Sequence, residues 1–375
     1  MKKREFLKLL GVGALGATGI PQSLDAHFFS KKAKKLPQRW MWMGVSPETT
    51  DDIFRVRFGK MAEAGIEAVL PQIYGSNMAL FELPGFTQDR LLERILPLAH
   101  EAGLQVHAWM WTMPCNHPDI LQKHPDWYAV NRLGESAHEK PAYVGYYKFL
   151  SPCHPEVQAF IAQRVEALGK IAELDGIHLD YIRYPDVILA KGLQPKYKIV
   201  QDKEYPQYDY GYEKCSVEAF KAKTGIDPLS LEDPSQNEAW RQHRYDSVTN
   251  LVNQHLVPIA RKYEKTITAA VFPNWESVRQ QWHRWDLDGF LPMLYNGFYE
   301  APISWIGEQT EAALSRLKGE DNKKPVFSGL YLPDLPNEES LQQAVRSARS
   351  AGASGFAIFE ANGMKPTHWD ALKML

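Results

Sequence analysis

Short runs of β-branched and aromatic residues alternate along this chain with longer segments whose apolar residues recur every three or four positions. The short runs read as buried strands at 40–46, 66–74, 104–112, 176–184, 266–274, 289–296, 326–332 and 355–360. The longer segments read as amphipathic helices at 50–64, 87–102, 155–174, 244–263, 305–317 and 340–351. Gly65, Gly103 and Gly352 each follow a helical pattern, where a left-handed residue commonly closes the last turn. Eight strand runs alternating with helices predict a parallel sheet with crossover helices, an α/β protein that closes as a (β/α)8 TIM barrel. The alternative, an open doubly wound sheet, lacks support because no glycine-rich phosphate loop follows any strand.

Two connections are long, 113–152 after the third strand and 185–241 after the fourth. Both leave the carboxyl ends of their strands, the face on which barrel enzymes build their sites. The second is dense in tyrosine, with Tyr197, Tyr205, Tyr208, Tyr210 and Tyr212. It reads equally as an excursion with a small core of its own or as one wall of a cleft.

Residues 1–26 have the layout of an export leader. Lys2, Lys3 and Arg4 form the basic start, 9–20 a short apolar stretch, and Ala26 the end of a cleavage site. Lys3-Arg4-Glu5-Phe6-Leu7-Lys8 is similar to a twin-arginine signal with Lys in the first arginine place. A linker at 27–38 and a single barrel domain at 39–375 follow. The apolar stretch is shorter than the ~20 residues a membrane-crossing helix needs, so no span is expected in the mature protein. The expected location is the periplasm or the cell exterior. Cys115, Cys153 and Cys215 fit no zinc-ribbon spacing, and read as buried free thiols in preference to a single bridge.

The 375 residues carry 43 Lys plus Arg against 45 Asp plus Glu, so there is no basic excess to bind nucleic acid. The aromatic content changes the picture more: 11 Trp, 17 Tyr and 16 Phe exceed what turns and surface require. Many fall at strand ends, where rings with polar edges suit the C–H faces and hydroxyls of a sugar.

The densest chemistry lies in Asp175-Gly176-Ile177-His178-Leu179-Asp180-Tyr181-Ile182-Arg183-Tyr184-Pro185. Alternation along a strand puts Ile177 and Leu179 on the face toward the helices and aims His178 and Asp180 into the barrel. Asp180 then sits at the carboxyl rim, where burial is costly unless hydrogen bonds or substrate engage it. Arg183, three residues on, is placed to hold it ionised.

This string resembles the signature of glycosyl-hydrolase-like family 10, bacterial proteins with a barrel catalytic domain. Phe149-Leu150-Ser151-Pro152 leading to His154-Pro155-Glu156-Val157 is similar too, as is Trp285-Asp286-Leu287-Asp288 through Pro292-Met293-Leu294-Tyr295. The resemblance implies hydrolysis of a glycosidic bond in an oligo- or polysaccharide, chemistry that needs two carboxyl groups and no cofactor or metal. Asp180 is the expected nucleophile or base. Its partner is open among Glu276, past the fifth strand, Glu360, ending the eighth, and Glu300, after the sixth. Tyr74, His107, Trp109, Trp111, His178, Arg183, Tyr184, Tyr295 and Asn296 are the candidate substrate contacts.

Two other functions compete. A non-catalytic carbohydrate- or cell-wall-binding barrel would keep the aromatic cleft but lack a second carboxylate near Asp180. A metal-dependent hydrolase would use His107, His178 and Asp180 as ligands, although 41–44 lacks paired histidines and no H-E-x-x-H occurs. The leader reading has a direct check. Mass spectrometry of the mature protein should show a chain that begins after Ala26, and an intact Met1 in the exported fraction would contradict it.

Overall fold

The computed structural model describes residues 36–317 and 324–375. The expected leader at 1–26 and most of the linker lie outside the described residues. The strands are β1 (Arg39–Met43), β2 (Ala68–Tyr74), β3 (Gln105–Trp111), β4 (Gly176–Asp180), β5 (Thr266–Val271), β6 (Gly289–Pro292), β7 (Phe327–Tyr331) and β8 (Gly355–Phe359). They pair in parallel in the order β6-β5-β4-β3-β2-β1-β8-β7. Parallel bridges Phe290↔Val326 and Met293↔Gly329 bring β6 round to β7, giving a nearly closed (β/α)8 barrel. That seam needs Gly329, since a Cβ there would stand 2.7 Å from the Pro292 carbonyl oxygen. No helix among the described residues is long and apolar enough to cross a membrane.

The helices form where local chemistry closes their ends. Thr50 caps Asp51–Glu63, its hydroxyl accepting from Ile53 N–H at 3.5 Å, with Asp51 and Asp52 at the positive end of the helix dipole. Gly65, Gly103 and Gly352 take φ of 76°, 80° and 94°, the left-handed closure the sequence predicts. The second helix starts at Leu91, later than expected, because the Thr87 hydroxyl closes a turn with Leu83 N–H (2.7 Å) and carbonyl (2.8 Å). The segment expected as one helix over 244–263 begins at Glu238, where Asn237 caps Trp240 N–H at 2.9 Å. It widens into a π-helix over Leu251–Leu256 before Val257–Lys262. Pro258, which has no N–H to continue the ladder, accounts for the widening.

Two apolar layers follow from the alternation. Ile177, Leu179, Val69, Val106 and Ile267 pack against the helices, while Trp40, Trp42, Leu70, Trp109, Leu291 and Phe327 fill the barrel. Bulk is balanced by glycine at the lower end: a Cβ on Gly176 would lie 2.1 Å from His107 Nδ1.

The two long connections fold onto each other at the carboxyl end. Asn131 bridges to Tyr210, and Cys153 is disulfide-bonded to Cys215. This corrects the free-thiol expectation for those two cysteines; Cys115 is the buried free one. Sequence spacing of 62 residues gave no hint of the pair, because packing of one loop on the other brings them together. Buried Asp209 pairs with both Arg244 and Arg279, tying the second loop to the helix behind it and to the connection after β5. Of the tyrosine-dense stretch, Tyr212 joins a separate small core with Val217, Phe220 and Trp240. Tyr197 faces the cleft described below. Both readings of that loop therefore hold, for different residues. Replacing Cys153 and Cys215 by Ser should lower stability by about 2–4 kcal/mol, the scale for closing a loop of this length. An unchanged melting temperature on thermal unfolding with and without reductant would refute that contribution.

Candidate active site

β4 carries two polar side chains into an aromatic interior, and each is met by an indole. Trp42 Nε1–H donates to His178 Nε2 at 3.1 Å, so the ring proton lies on Nδ1 and is given to Thr268 Oγ1 at 2.9 Å. Burial then pushes the His178 pKa down to about 3, with the nearby His107 adding to the effect. One rung higher, Trp109 Nε1–H donates to Asp180 Oδ2 at 2.9 Å. The other carboxylate oxygen, Oδ1, accepts the Tyr181 backbone N–H at 2.7 Å. Tyr181 makes this bond by adopting φ 51°, a left-handed conformation costing roughly 1–2 kcal/mol in a residue with a Cβ. That turn ends the strand at Asp180 and lays the Tyr181 ring 4.8 Å from Trp111.

Asp180 is 7 % exposed and opens onto a cavity of about 240 Å³ at the carboxyl end of the barrel. Burial raises its pKa; the bonds from Trp109 and Tyr181 and the charge of Arg183 oppose the rise without cancelling it. Around it stand Trp42, Trp109, Trp111, Tyr147, Tyr181, Tyr295, Tyr331 and Phe359. Tyr295 and Tyr331 stack at 5.0 Å with 27° between planes, and Phe359 lies 5.9 Å from Tyr295. Burial lifts the Tyr295 hydroxyl well above its ordinary pKa, helped by the charges of Asp180 and Glu360, so it is a neutral donor.

Arg183 lines the same cavity but does not hold Asp180. Its Nη1 donates to Asp186 Oδ2 at 3.0 Å and to the Tyr184 carbonyl at 2.9 Å, within a cage of rings that includes Phe272 at 4.8 Å and Tyr181 at 5.1 Å. The left-handed turn at Tyr181 redirects the chain, so the residue three positions on meets Asp186 instead. Asp186 also lines the cavity.

Of the nominated contacts, Trp109, Trp111, Arg183 and Tyr295 face this cavity with Asp180. The others do not. His107 and His178 have no exposed surface and lie deeper in the barrel. A register shift between Gln72 and Tyr74 turns Tyr74 to the helix side, where its hydroxyl accepts from Arg164 Nε at 3.0 Å. Tyr184 is buried behind the loops with its hydroxyl 3.4 Å from Glu213. Asn296 is spent on the Ala301 carbonyl at 2.9 Å. Both His178 nitrogens are committed, so His107, His178 and Asp180 do not converge as metal ligands. Among the described residues one His/Cys/Asp/Glu cluster has metal-like spacing, Cys153 with Glu213 and Cys215, and its two thiols are joined to each other.

The second carboxylates separate clearly. Glu276 is exposed on the short turn Trp275–Val278, outside the cavity. Glu300 is exposed and paired with Lys191 at 2.8 Å. Glu360 is half-buried, accepts Gly44 N–H at 3.2 Å, and lines an adjoining cavity of about 470 Å³. That cavity shares Tyr331 and Phe359 with the Asp180 pocket.

A barrel whose carboxyl face offers a buried Asp in a ring of aromatic side chains has the design of a carbohydrate-active enzyme. Residues 60–195, which include Asp180, match the model of the Glycosyl hydrolase-like 10 family. Glycosyl hydrolase YngK of Bacillus subtilis is 26 % identical over 176 residues, covering 44 % of this chain. The chain spans about a quarter of that relative's length (26 %). The fold is similar to the PgaB (BpsB) glycoside hydrolase domain of Bordetella bronchiseptica, with TM-score 0.67 and 17 % identity over 90 % of this chain and 98 % of that one. It is also similar to the β-amylase catalytic domain of Paenibacillus polymyxa, with TM-score 0.64 and 11 % identity over 90 % and 97 %.

The depressed pKa of His178 has a measurable consequence. Between the ordinary value of about 6.5 and about 3, the unfolded chain takes up a proton that the folded barrel refuses. This group therefore withdraws stability as pH falls through that window. Nitrogen NMR should show the His178 ring neutral and protonated on Nδ1 down to about pH 3. Titration near 6.5 would contradict the buried network.

Proposed function

We propose that this chain is an exported glycoside hydrolase that cleaves an oligo- or polysaccharide, with Asp180 as nucleophile or base. The observation that carries the reading is the placement of Asp180. Both of its oxygens accept from fixed donors, and it opens onto an aromatic-lined cavity at the carboxyl face. Such a site presents a positioned carboxylate to a sugar stacked on Tyr295, Tyr331 or Phe359, with the neutral Tyr295 hydroxyl able to donate to substrate.

Glu360 is the proposed proton donor. It follows β8, four strands from β4 round the barrel, which suits the ~6.5–9.5 Å carboxyl spacing of inverting glycosidases. Asp186 is nearer in sequence but is committed to Arg183. A purely sugar-binding barrel does not require a second carboxylate close to Asp180, and Glu360 in the adjoining cavity supplies a candidate for one. Export accords with the Cys153–Cys215 bridge, since such bonds persist in oxidising compartments. The match over residues 60–195 supports the chemistry.

Turnover should depend on Asp180 and its ionised form. On a substrate found by screening bacterial-wall and plant polysaccharides, Asp180→Asn should lower kcat by about 10²–10⁴-fold or more and leave the melting temperature nearly unchanged. Because the base form exists only above a raised pKa, kcat/KM should fall on the acid side at a pH above the usual Asp value of about 3.9. Full activity of the variant would remove Asp180 from the chemistry. An acid limb at or below that value would show that another group is the base.

A further inference from the structure

The Asp180 pocket does not end at its rings. Tyr331 and Phe359 are shared with the Glu360 cavity, and Asn362 is shared between that cavity and a third one of about 720 Å³. Shared lining residues thus link the three in succession, from the barrel mouth past the ends of β7 and β8 to the end of β1. The third cavity is lined by Arg57 and Lys60 from the helix Asp51–Glu63, by Trp369, and by the polar side chains of Ser46, Gln72 and Asn362. Among the described residues no Asp or Glu lines it directly; the nearest carboxylates are held at its edge, Glu48 by the Ser46 hydroxyl and Glu360 by the Gly44 N–H. Among the described residues neither Arg57 nor Lys60 has an ion-pair partner, whereas nearby Arg55 pairs with Asp52 and Glu101 and Arg94 with Asp51. Lys60 Nζ lies 5.0 Å from the Trp369 ring centre, so ring and cation present one surface. Two cations three residues apart on one helix repel each other, and a concave wall between low-dielectric surfaces sharpens their field. An anion seated between them relieves that repulsion.

We infer that this row of cavities is an extended glycan-binding groove, and that the cavity at Arg57 and Lys60 binds a sugar carrying a negative charge, a carboxylate or a sulfate or phosphate ester. The inference rests on the proposed glycosidase reading and deepens it: the substrate is an acidic glycan, cut at Asp180 and gripped several units away by its charge. Gln72 and the amide oxygen of Asn362, whose Nδ2 is held by the Gly44 carbonyl, supply hydroxyl partners. Gly44 lets the groove floor form, because a Cβ there would stand 2.9 Å from Asn362 Nδ2 and 3.3 Å from Glu360 Oε2.

The test separates binding from turnover. A panel of uronic-acid, sulfated and phosphorylated oligosaccharides is titrated calorimetrically against the Asp180→Asn protein, each beside its carboxyl-reduced or de-esterified neutral counterpart. Acidic members should bind more tightly than their counterparts, and more weakly as salt rises through the screening range. The Arg57→Gln/Lys60→Gln double variant should lose about tenfold in affinity for them and bind the neutral counterparts unchanged. The arm that responds names the anion. The inference is overturned if no acidic member outbinds its neutral counterpart, or if the double variant binds acidic members as tightly as before. Turnover of the same panel by the wild-type chain is scored apart. If Asp180→Asn leaves turnover intact while the charge-dependent binding persists, the catalytic reading fails and the groove remains.

Discussion

A carboxylate buried among indole and phenol rings costs several kcal/mol unless donors replace the water it has lost. Asp180 has two, the Trp109 indole and the Tyr181 backbone amide. Hydrogen bonds to a charged group contribute about 1.5–3 kcal/mol each, so the pair offsets much of the cost and leaves the acid with a raised pKa. Much of the cleft is arranged around that arrangement. Trp109 occupies the barrel interior because its N–H must reach Asp180, Tyr181 accepts a strained backbone to turn its amide back, and the Tyr181 ring is thereby delivered to the wall beside Trp111.

The same logic holds one rung lower. His178 would be an unwelcome polar group in an aromatic core, yet Trp42 and Thr268 satisfy both its nitrogens. Two indoles from β1 and β3 thus serve two consecutive inward residues of β4. This makes the strand a rigid mount, so that the carboxylate at its end stands in a fixed place. A site on such a mount is better preorganised than one carried by loops.

How much of this was legible in the sequence depended on whether one element or several had to cooperate. The inward parity of His178 and Asp180 was readable, because strand alternation alone decides it. So was the place of Trp109, Trp111 and Tyr295 near the rim. The failure at Tyr74 came from a register shift within β2, which flips a side chain without leaving a mark in composition. The expected Arg183–Asp180 pairing failed because a left-handed Tyr181 redirects the chain, a conformation no residue rule anticipates in tyrosine. Tyr147 and Tyr197 enter the cleft from the long connections, and the Cys153–Cys215 bridge joins those connections. Such contacts arise from loops packing on loops and have no local signal. Tyr331 was within reach, since Phe327, Gly329 and Tyr331 share the inward face of β7.

The barrel closes at β6 and β7 through isolated bridges and the close approach that Gly329 permits. Just beyond that seam, Tyr295 after β6 and Tyr331 at the end of β7 stack on each other. The platform on which a sugar would lie is therefore also the clasp of the barrel's least laddered joint. Opening of this joint would pull the platform in two, and a ligand lying across both rings would hold it shut. Under the proposed function, occupancy of the cleft would thus be coupled to local unfolding of the joint between β6 and β7.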